Sequence, residues 1–279
     1  MDNFILNNGV SIPCIGLGTW QNNDEKSVSD TILEVLNIGY RHIDTAAVYN
    51  NEKFIGNALS KAGVDRKDLF ITSKVWNTER GYCKTIQAFE RTLNDLQTDY
   101  LDLYLVHWPA SPNRYDTWAE LNAATWHALE DLYKSKKVRA IGVSNFWIHH
   151  LEPLLKIANI APMVNQIECH PGYRQSYVVD YCKAHNILIE AWSPLGRGKM
   201  LAVPQLAQMA EKYGVTIAQI CIKWCLQNGI LPLPKSTKPE RLKENVNIDG
   251  FTISDEDMLV INNMQLESSS GQFPDEIDF

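Results

Sequence analysis

Asp44, Lys74 and His107 each close a short apolar run, and Tyr49 lies five residues beyond Asp44. An aspartate and a lysine ending consecutive apolar runs are expected to form an ion pair, because a buried charge is costly unless it is paired. The plain reading stops there, with a satisfied pair holding a rim of the fold. The chemical reading adds Tyr49: an ammonium beside a phenol favours the phenolate and lowers its pKa, which makes a general acid usable near neutral pH. His107, between Val106 and Trp108, is alone more often a hydrogen-bonded core residue than a catalyst. Beside the other three it becomes a donor to a substrate oxygen. Trp20, Trp76 and Trp108 closely follow run ends. Singly such aromatics are packing, but three on one rim suggest an apolar substrate pocket.

These side chains need a scaffold that brings run ends together. Eight short β-prone runs recur at residues 14–17, 42–44, 69–74, 101–107, 138–144, 163–168, 187–192 and 230–234. They are spaced by about 25 to 45 residues, as strand-plus-helix units require. The segments between them have helical periodicity: Ile86, Phe89, Leu93 and Leu96 share a face, as do Leu121, Ala124, Thr125, Ala128, Leu129 and Leu132. Alternating strand and helix implies a parallel sheet, and eight similar repeats favour an α/β fold closed into a (β/α)8 barrel. Residues 4–12 read as a hairpin with Asn8-Gly9 at its turn, placed to close the barrel bottom. In such barrels the reactive groups sit at strand C-termini. Those positions are Asp44, Lys74, His107, Ser144, Asn145, Gln166, Ser193 and Lys235.

The chain has 279 residues, enough for one barrel without metals or disulfides, and it reads as a single domain over 1–279. Its 26 basic and 33 acidic residues give a net charge of −7, which argues against nucleic acid or an anionic membrane as partner. No secretory signal or spanning apolar stretch is present, and six scattered cysteines make no disulfide framework, so a reducing cytoplasm fits. Cys169-His170 and Cys221 with Cys225 lack further ligands at metal spacing, and the latter pair reads as helix core. Gly16-Leu17-Gly18-Thr19-Trp20 is not a Rossmann fingerprint, lacking its third glycine and distal acid.

The motifs together resemble the aldo-keto reductase family. Residues 39–52, Gly-Tyr-Arg-His-Ile-Asp-Thr-Ala-Ala-Val-Tyr-Asn-Asn-Glu, followed by Ile55-Gly56, match its first signature. Residues 100–109 and 233–245 match two further regions, and Ile141 to Phe146 and Asn165 to Pro171 fall between them in order. The likeness runs from about Asn7 onward. It implies an NADPH-dependent reductase of aldehydes and ketones with Asp44, Tyr49, Lys74 and His107 as its tetrad. Tyr49 would protonate the carbonyl oxygen, Lys74 held by Asp44 would tune it, His107 would orient the carbonyl, and Trp20, Trp76 and Trp108 would line the substrate pocket. Ser144, Asn145 and Gln166 would hold the nicotinamide carboxamide and Trp192 would stack on the ring. Gly18, Thr19, Ser193 and Leu195 would contribute to cofactor binding, the last two from a loop around the pyrophosphate. Lys235, Ser236 and Arg241 would take the 2′-phosphate, with Glu244 and Asn245 at the adenine. A basic pair flanking a hydroxyl suits an added phosphate and favours NADPH over NADH. Lys238 stands where a smaller or hydroxyl residue is usual.

The short connection after His107 and the compact tail 271–279 are similar to those of the family's short-loop, largely microbial branch, which handles methylglyoxal, diketo-sugar acids, keto esters and varied aldehydes. A monomer is expected, since no apolar stripe is left over. The alternatives are a cofactor-binding, redox-sensing regulatory subunit, and an unrelated barrel hydrolase or isomerase using Asp44 and His107. The second leaves Lys235, Ser236 and Arg241 unexplained.

Overall fold

The apolar runs become strands because Val, Ile, Leu and Phe pack on a sheet buried on both faces. The computed structural model describes residues 3–277. A two-stranded hairpin, β1 (Phe4–Ile5) and β2 (Ser11–Ile12), precedes the eight parallel strands. These are β3 (Leu17–Gly18), β4 (His42–Asp44), β5 (Phe70–Val75), β6 (Leu101–Val106), β7 (Val138–Ser144), β8 (Val164–Glu168), β9 (Leu188–Trp192) and β10 (Leu231–Leu233). They pair in sequence order, and the ends of the sheet meet where Gly16 N–H donates to Pro232 O at 3.2 Å and Gly18 N–H to Pro234 O at 3.1 Å. The (β/α)8 barrel is therefore as expected: the runs 42–44 and 138–144 are strands with the same bounds, and the other strand boundaries shift by at most three residues. The larger shift is at the first strand, where the run 14–17 supplies only Leu17 and the pairing moves on to Gly18.

Helices follow the strands: α1 (Glu25–Ile38), α2 (Glu52–Leu59), α3 (Tyr82–Leu96), α4 (Trp118–Lys134), α5 (Ile148–Ile157), α6 (Ser176–Ala184), α7 (Pro204–Tyr213), α8 (Ile217–Gln227), α9 (Pro239–Val246) and α10 (Asp255–Asn262). Their ends carry local signals. Asp24 accepts Ser27 N–H at 2.8 Å to start α1, and Gly39 at φ 112° ends it in the left-handed region that only glycine enters cheaply. That stop turns the chain directly into β4, which ends at Asp44.

The periodic faces expected for α3 and α4 are the ones that pack. Phe89, Leu93 and Leu96, and Thr125, Ala128, Leu129 and Leu132, are buried, while Ile86, Leu121 and Ala124 lie at the edges of those faces. Cys221 and Cys225 are fully buried on α8 among core side chains, as expected. The hairpin sits at the N-terminal end of the strands: Asn7 Nδ2 donates to Pro162 O at 3.0 Å and Asn8 Nδ2 to Arg139 O at 3.0 Å, both at strand starts.

At the opposite end the C-terminal segment is sewn across the mouth. Glu168 accepts from Ser270 N–H and Oγ, Lys199 donates to Ser269 O at 2.9 Å, and Arg114 donates to Glu276 O at 3.3 Å. No helix among the described residues is long and apolar enough to cross a membrane.

Candidate active site

Parallel strands that end at one rim deliver their last side chains to one place, and here they deliver charges. The Lys74 ammonium, with no exposure, donates to Asp44 Oδ1 at 2.7 Å and to Thr45 O at 2.8 Å. It is also hydrogen-bonded to the Tyr49 hydroxyl and lies 5.2 Å from that ring's centre. Burial pulls the Lys74 pKa down, but Asp44 and Tyr49 outweigh it, so the pKa is raised and the ammonium persists. Tyr49 stands in a short 3-10 turn over Ala47–Tyr49, just after β4, which aims its ring back across the strand ends.

The direction of the Tyr49 shift departs from the sequence expectation. Burial raises the phenol above its ordinary pKa, and the pull of Lys74 offsets this only in part. Tyr49 is therefore held protonated at neutral pH rather than as a near-phenolate.

His107 packs edge-on against Tyr49 at 5.7 Å and against Trp76 at 5.1 Å between ring centres. Burial, then Lys74 and Arg80, hold its pKa well below the usual imidazole range, so the ring is neutral and can donate from one nitrogen only. Sequence reasoning misses Arg80, because no strand ends there. Its guanidinium donates to Trp108 O at 3.0 Å and Pro109 O at 2.8 Å, fixing the chain after His107. Of the three tryptophans, Trp108 is buried, Trp76 is half-buried and Trp20 is 39% exposed. Trp20 instead meets the loop after β9: the Arg197 guanidinium lies 4.8 Å from its ring and 5.7 Å from Trp192.

The groups expected at the nicotinamide form a continuous network with the tetrad. Ser144 Oγ donates to Gln166 O at 2.8 Å. Asn145, in the left-handed region at φ 63°, donates to His107 O at 3.0 Å and to Ser144 Oγ at 3.0 Å, and accepts from Trp192 Nε1 at 2.8 Å. Gln166 Nε2 donates to Asp44 Oδ2 at 2.8 Å and to Glu190 Oε2 at 2.8 Å. Glu190 is a second residue that sequence reasoning misses, since it lies two positions before a strand end.

The remaining cofactor candidates surround this centre. Gly18 borders Lys235, whose Cβ would lie 3.7 Å from a side chain added at Gly18. Thr19 Oγ1 donates to Asp44 O at 2.9 Å. Ser193, Gly196, Arg197 and Gly198 all have positive φ, so the loop after β9 coils tightly around Leu195. Lys235, Lys238 and Arg241 are exposed around the start of α9 and have no ion-pair partner among the described residues. Ser236 is buried beside them, and its Oγ accepts Lys238 N–H at 3.1 Å. Asn245 is buried, while Glu244 is tied to α8 by accepting from Thr216 Oγ1 at 2.7 Å.

A cavity of about 530 Å³ lies at the other end of the barrel, bordered by Arg41, Lys67 and Arg139. Its cations are already engaged, with Leu36 O and Tyr40 O, with Asp65 and with Asp102 respectively.

Comparison with known proteins agrees with this geometry. Residues 14–265 match the aldo/keto reductase family. The chain is 47% identical over 278 residues to the glyoxal reductase of Bacillus subtilis strain 168, covering 100% of this chain and 98% of that one. Among solved structures it resembles MGS-M4, an aldo-keto reductase from a Medee basin deep-sea metagenome library, with a TM-score of 0.93 and 39% identity over 99% of this chain and 100% of the other. It also resembles a mutant of Gox0644 in complex with NADPH, with a TM-score of 0.92 and 38% identity over 99% and 98% of the two chains. The chain belongs to the aldo/keto reductase family and is an NADPH-dependent carbonyl reductase.

Proposed function

We propose that Tyr49 is the general acid of this reduction and that short aldehydes bearing a neighbouring carbonyl, of the glyoxal and methylglyoxal kind, are its substrates. The observation that carries the first part is the fully buried Lys74 ammonium, paired with Asp44 and hydrogen-bonded to the Tyr49 hydroxyl. A cation at that point stabilises the phenolate that forms as the proton leaves. Neutral His107 donates to the carbonyl oxygen and orients it without adding charge. The substrate proposal draws on the glyoxal reductase relative and on Trp76, which stands edge-on to His107, with Trp20 and Trp108 as further aromatic candidates.

The residues present fit NADPH. Lys235, Lys238 and Arg241 beside Ser236 suit a phosphate, and Ser144, Asn145 and Gln166 suit a carboxamide. Trp192 offers a flat face for the ring, Gly18, Thr19, Ser193 and Leu195 border the pyrophosphate path, and Glu244 and Asn245 are assigned to the adenine. When bound, the cofactor supplies hydride to the carbonyl carbon. The proposal includes a single-domain monomer, and the free cysteines suit a reducing cytoplasm.

The test is loss of NADPH absorbance with glyoxal, methylglyoxal, simple aldehydes and bulky ketones. Higher kcat/KM for the dicarbonyls is expected, and a preference for bulky ketones overturns the substrate class. Because Tyr49 is held protonated, reduction should stay level through neutral pH, while alcohol oxidation, which needs the phenolate, should rise towards alkaline pH.

A further inference from the structure

Glu190 is the middle residue of β9 and is completely buried. Its Oε2 accepts from Gln166, and its Oε1 is sealed off with no partner. Among the described residues, Gln166 is thus its one hydrogen-bond partner. A carboxyl buried with an unmet oxygen costs stability that an apolar side chain of similar size would not, so packing does not account for it. Its environment keeps it in the neutral form at physiological pH: burial first, and Asp44 next, push its pKa up to about 8.

The consequence falls on Gln166. Asp44, the counter-ion of Lys74, can only accept, so the Gln166 atom facing it is the amide nitrogen, and a flipped amide would set its oxygen against that carboxylate. Both amide hydrogens are then used, one by Asp44 and one by Glu190. Gln166 Oε1 accepts nothing from the described residues and is not sealed off. We propose that Glu190 is a positioning residue for the nicotinamide: with Asp44 it takes both Gln166 amide hydrogens, so that Gln166 meets the carboxamide with its carbonyl oxygen alone, as an acceptor for the carboxamide N–H. The inference rests on the reading of Gln166 as a carboxamide contact.

The test is equilibrium binding followed by tryptophan fluorescence, with three probes: NADP+, its 3-acetylpyridine analogue, which has a methyl where the amide has N–H, and 2′-phospho-ADP-ribose, which has no nicotinamide. Glu190→Leu keeps the volume and frees one Gln166 hydrogen. It should weaken NADP+ about five- to tenfold, the range of one lost hydrogen bond, and change the other two less than about twofold. Glu190→Gln keeps an acceptor for Gln166 and should restore NADP+ affinity. Equal losses for all three probes in Glu190→Leu overturn the proposal in favour of a purely structural carboxyl. Unchanged NADP+ binding in Glu190→Leu, with a selective loss in Gln166→Ala, overturns it while leaving Gln166 in place. Unchanged NADP+ binding in Gln166→Ala removes the Gln166 reading and this proposal with it.

Discussion

Replacing Tyr49 by phenylalanine removes one oxygen from the centre of the site, and the structure fixes what else should change. Lys74 keeps its bonds to Asp44 Oδ1 at 2.7 Å and Thr45 O at 2.8 Å, so the buried charge stays paired. Tyr49 is itself only half-buried on the cleft side, where water can replace the lost hydroxyl. The stability cost should therefore be at most about 1 kcal/mol, or roughly 2–4 °C in Tm. The rate cost is of another order. Losing a positioned general acid should lower kcat about 10²- to 10⁴-fold, equivalent to about 3–5 kcal/mol of transition-state stabilisation. Lys74→Met makes the opposite comparison. It strips Asp44 of its cation and leaves a carboxylate buried with Gln166 alone, a loss of about 3–5 kcal/mol of stability on top of the lost rate. The assay is kcat for glyoxal reduction alongside NADP+ affinity and thermal unfolding for both variants. A Tyr49→Phe enzyme within about fivefold of wild-type kcat, with cofactor binding and Tm intact, refutes the assigned acid.

Three further outcomes can be checked. Arg241→Ala should weaken NADPH binding about tenfold or more, the worth of a charge-assisted hydrogen bond, and leave NADH within about twofold; equal losses would remove the 2′-phosphate assignment. Glu52 is buried against Ser73 and Thr92 and its pKa is pushed up to about 7, burial being the main cause. A raised acid favours the fold most below its ordinary pKa of 4.5, and that advantage is lost as pH rises through about 7, so Glu52→Gln should gain stability over wild type between pH 5 and pH 8 in thermal scans. A side chain added at Gly56 would lie 2.5 Å from Asp95 O and 2.8 Å from Leu96 O, backbone that cannot swing aside. Gly56→Ala should then cost about 1–3 kcal/mol, read as a lowered urea midpoint.

What could be read in advance follows from what the chain encodes locally. Strand runs, helix faces and the stop at Gly39 are local properties, and they lead to the barrel and to its reactive rim. Asp44, Lys74 and His107 are legible because each ends an apolar run, and the barrel topology turns run ends into neighbours. Tyr49 is legible as a position but not as an acid strength, since the net shift depends on how deeply the folded rim buries it. Arg80 and Glu190 leave no local mark. Arg80 lies six residues past Lys74 in a turn, and Glu190 reads as one polar residue inside a strand of apolar ones. Their roles come from the partners that the closed barrel supplies, Trp108 O for one and Gln166 for the other.

Asp44 is where those non-local contacts converge. One carboxylate oxygen holds the Lys74 ammonium and the other holds the Gln166 amide, while its carbonyl receives Thr19 N–H and Oγ1. The proposed proton-donating half of the site and the proposed nicotinamide half are thus built on one side chain at the end of a three-residue strand. Asp44→Asn would exchange a charge for an amide that can keep only some of these bonds: its oxygen can serve Lys74 or Gln166, and its nitrogen would face the other donor. Lys74 would lose its counter-ion in a dry site, where burial already pulls its pKa down, and so would shed its proton more readily. The variant should therefore lose reduction steeply as pH rises through the range in which the wild type is level, and weaken cofactor binding less than it weakens turnover. An unchanged pH profile in that variant would mean that Lys74 is held charged by something other than Asp44.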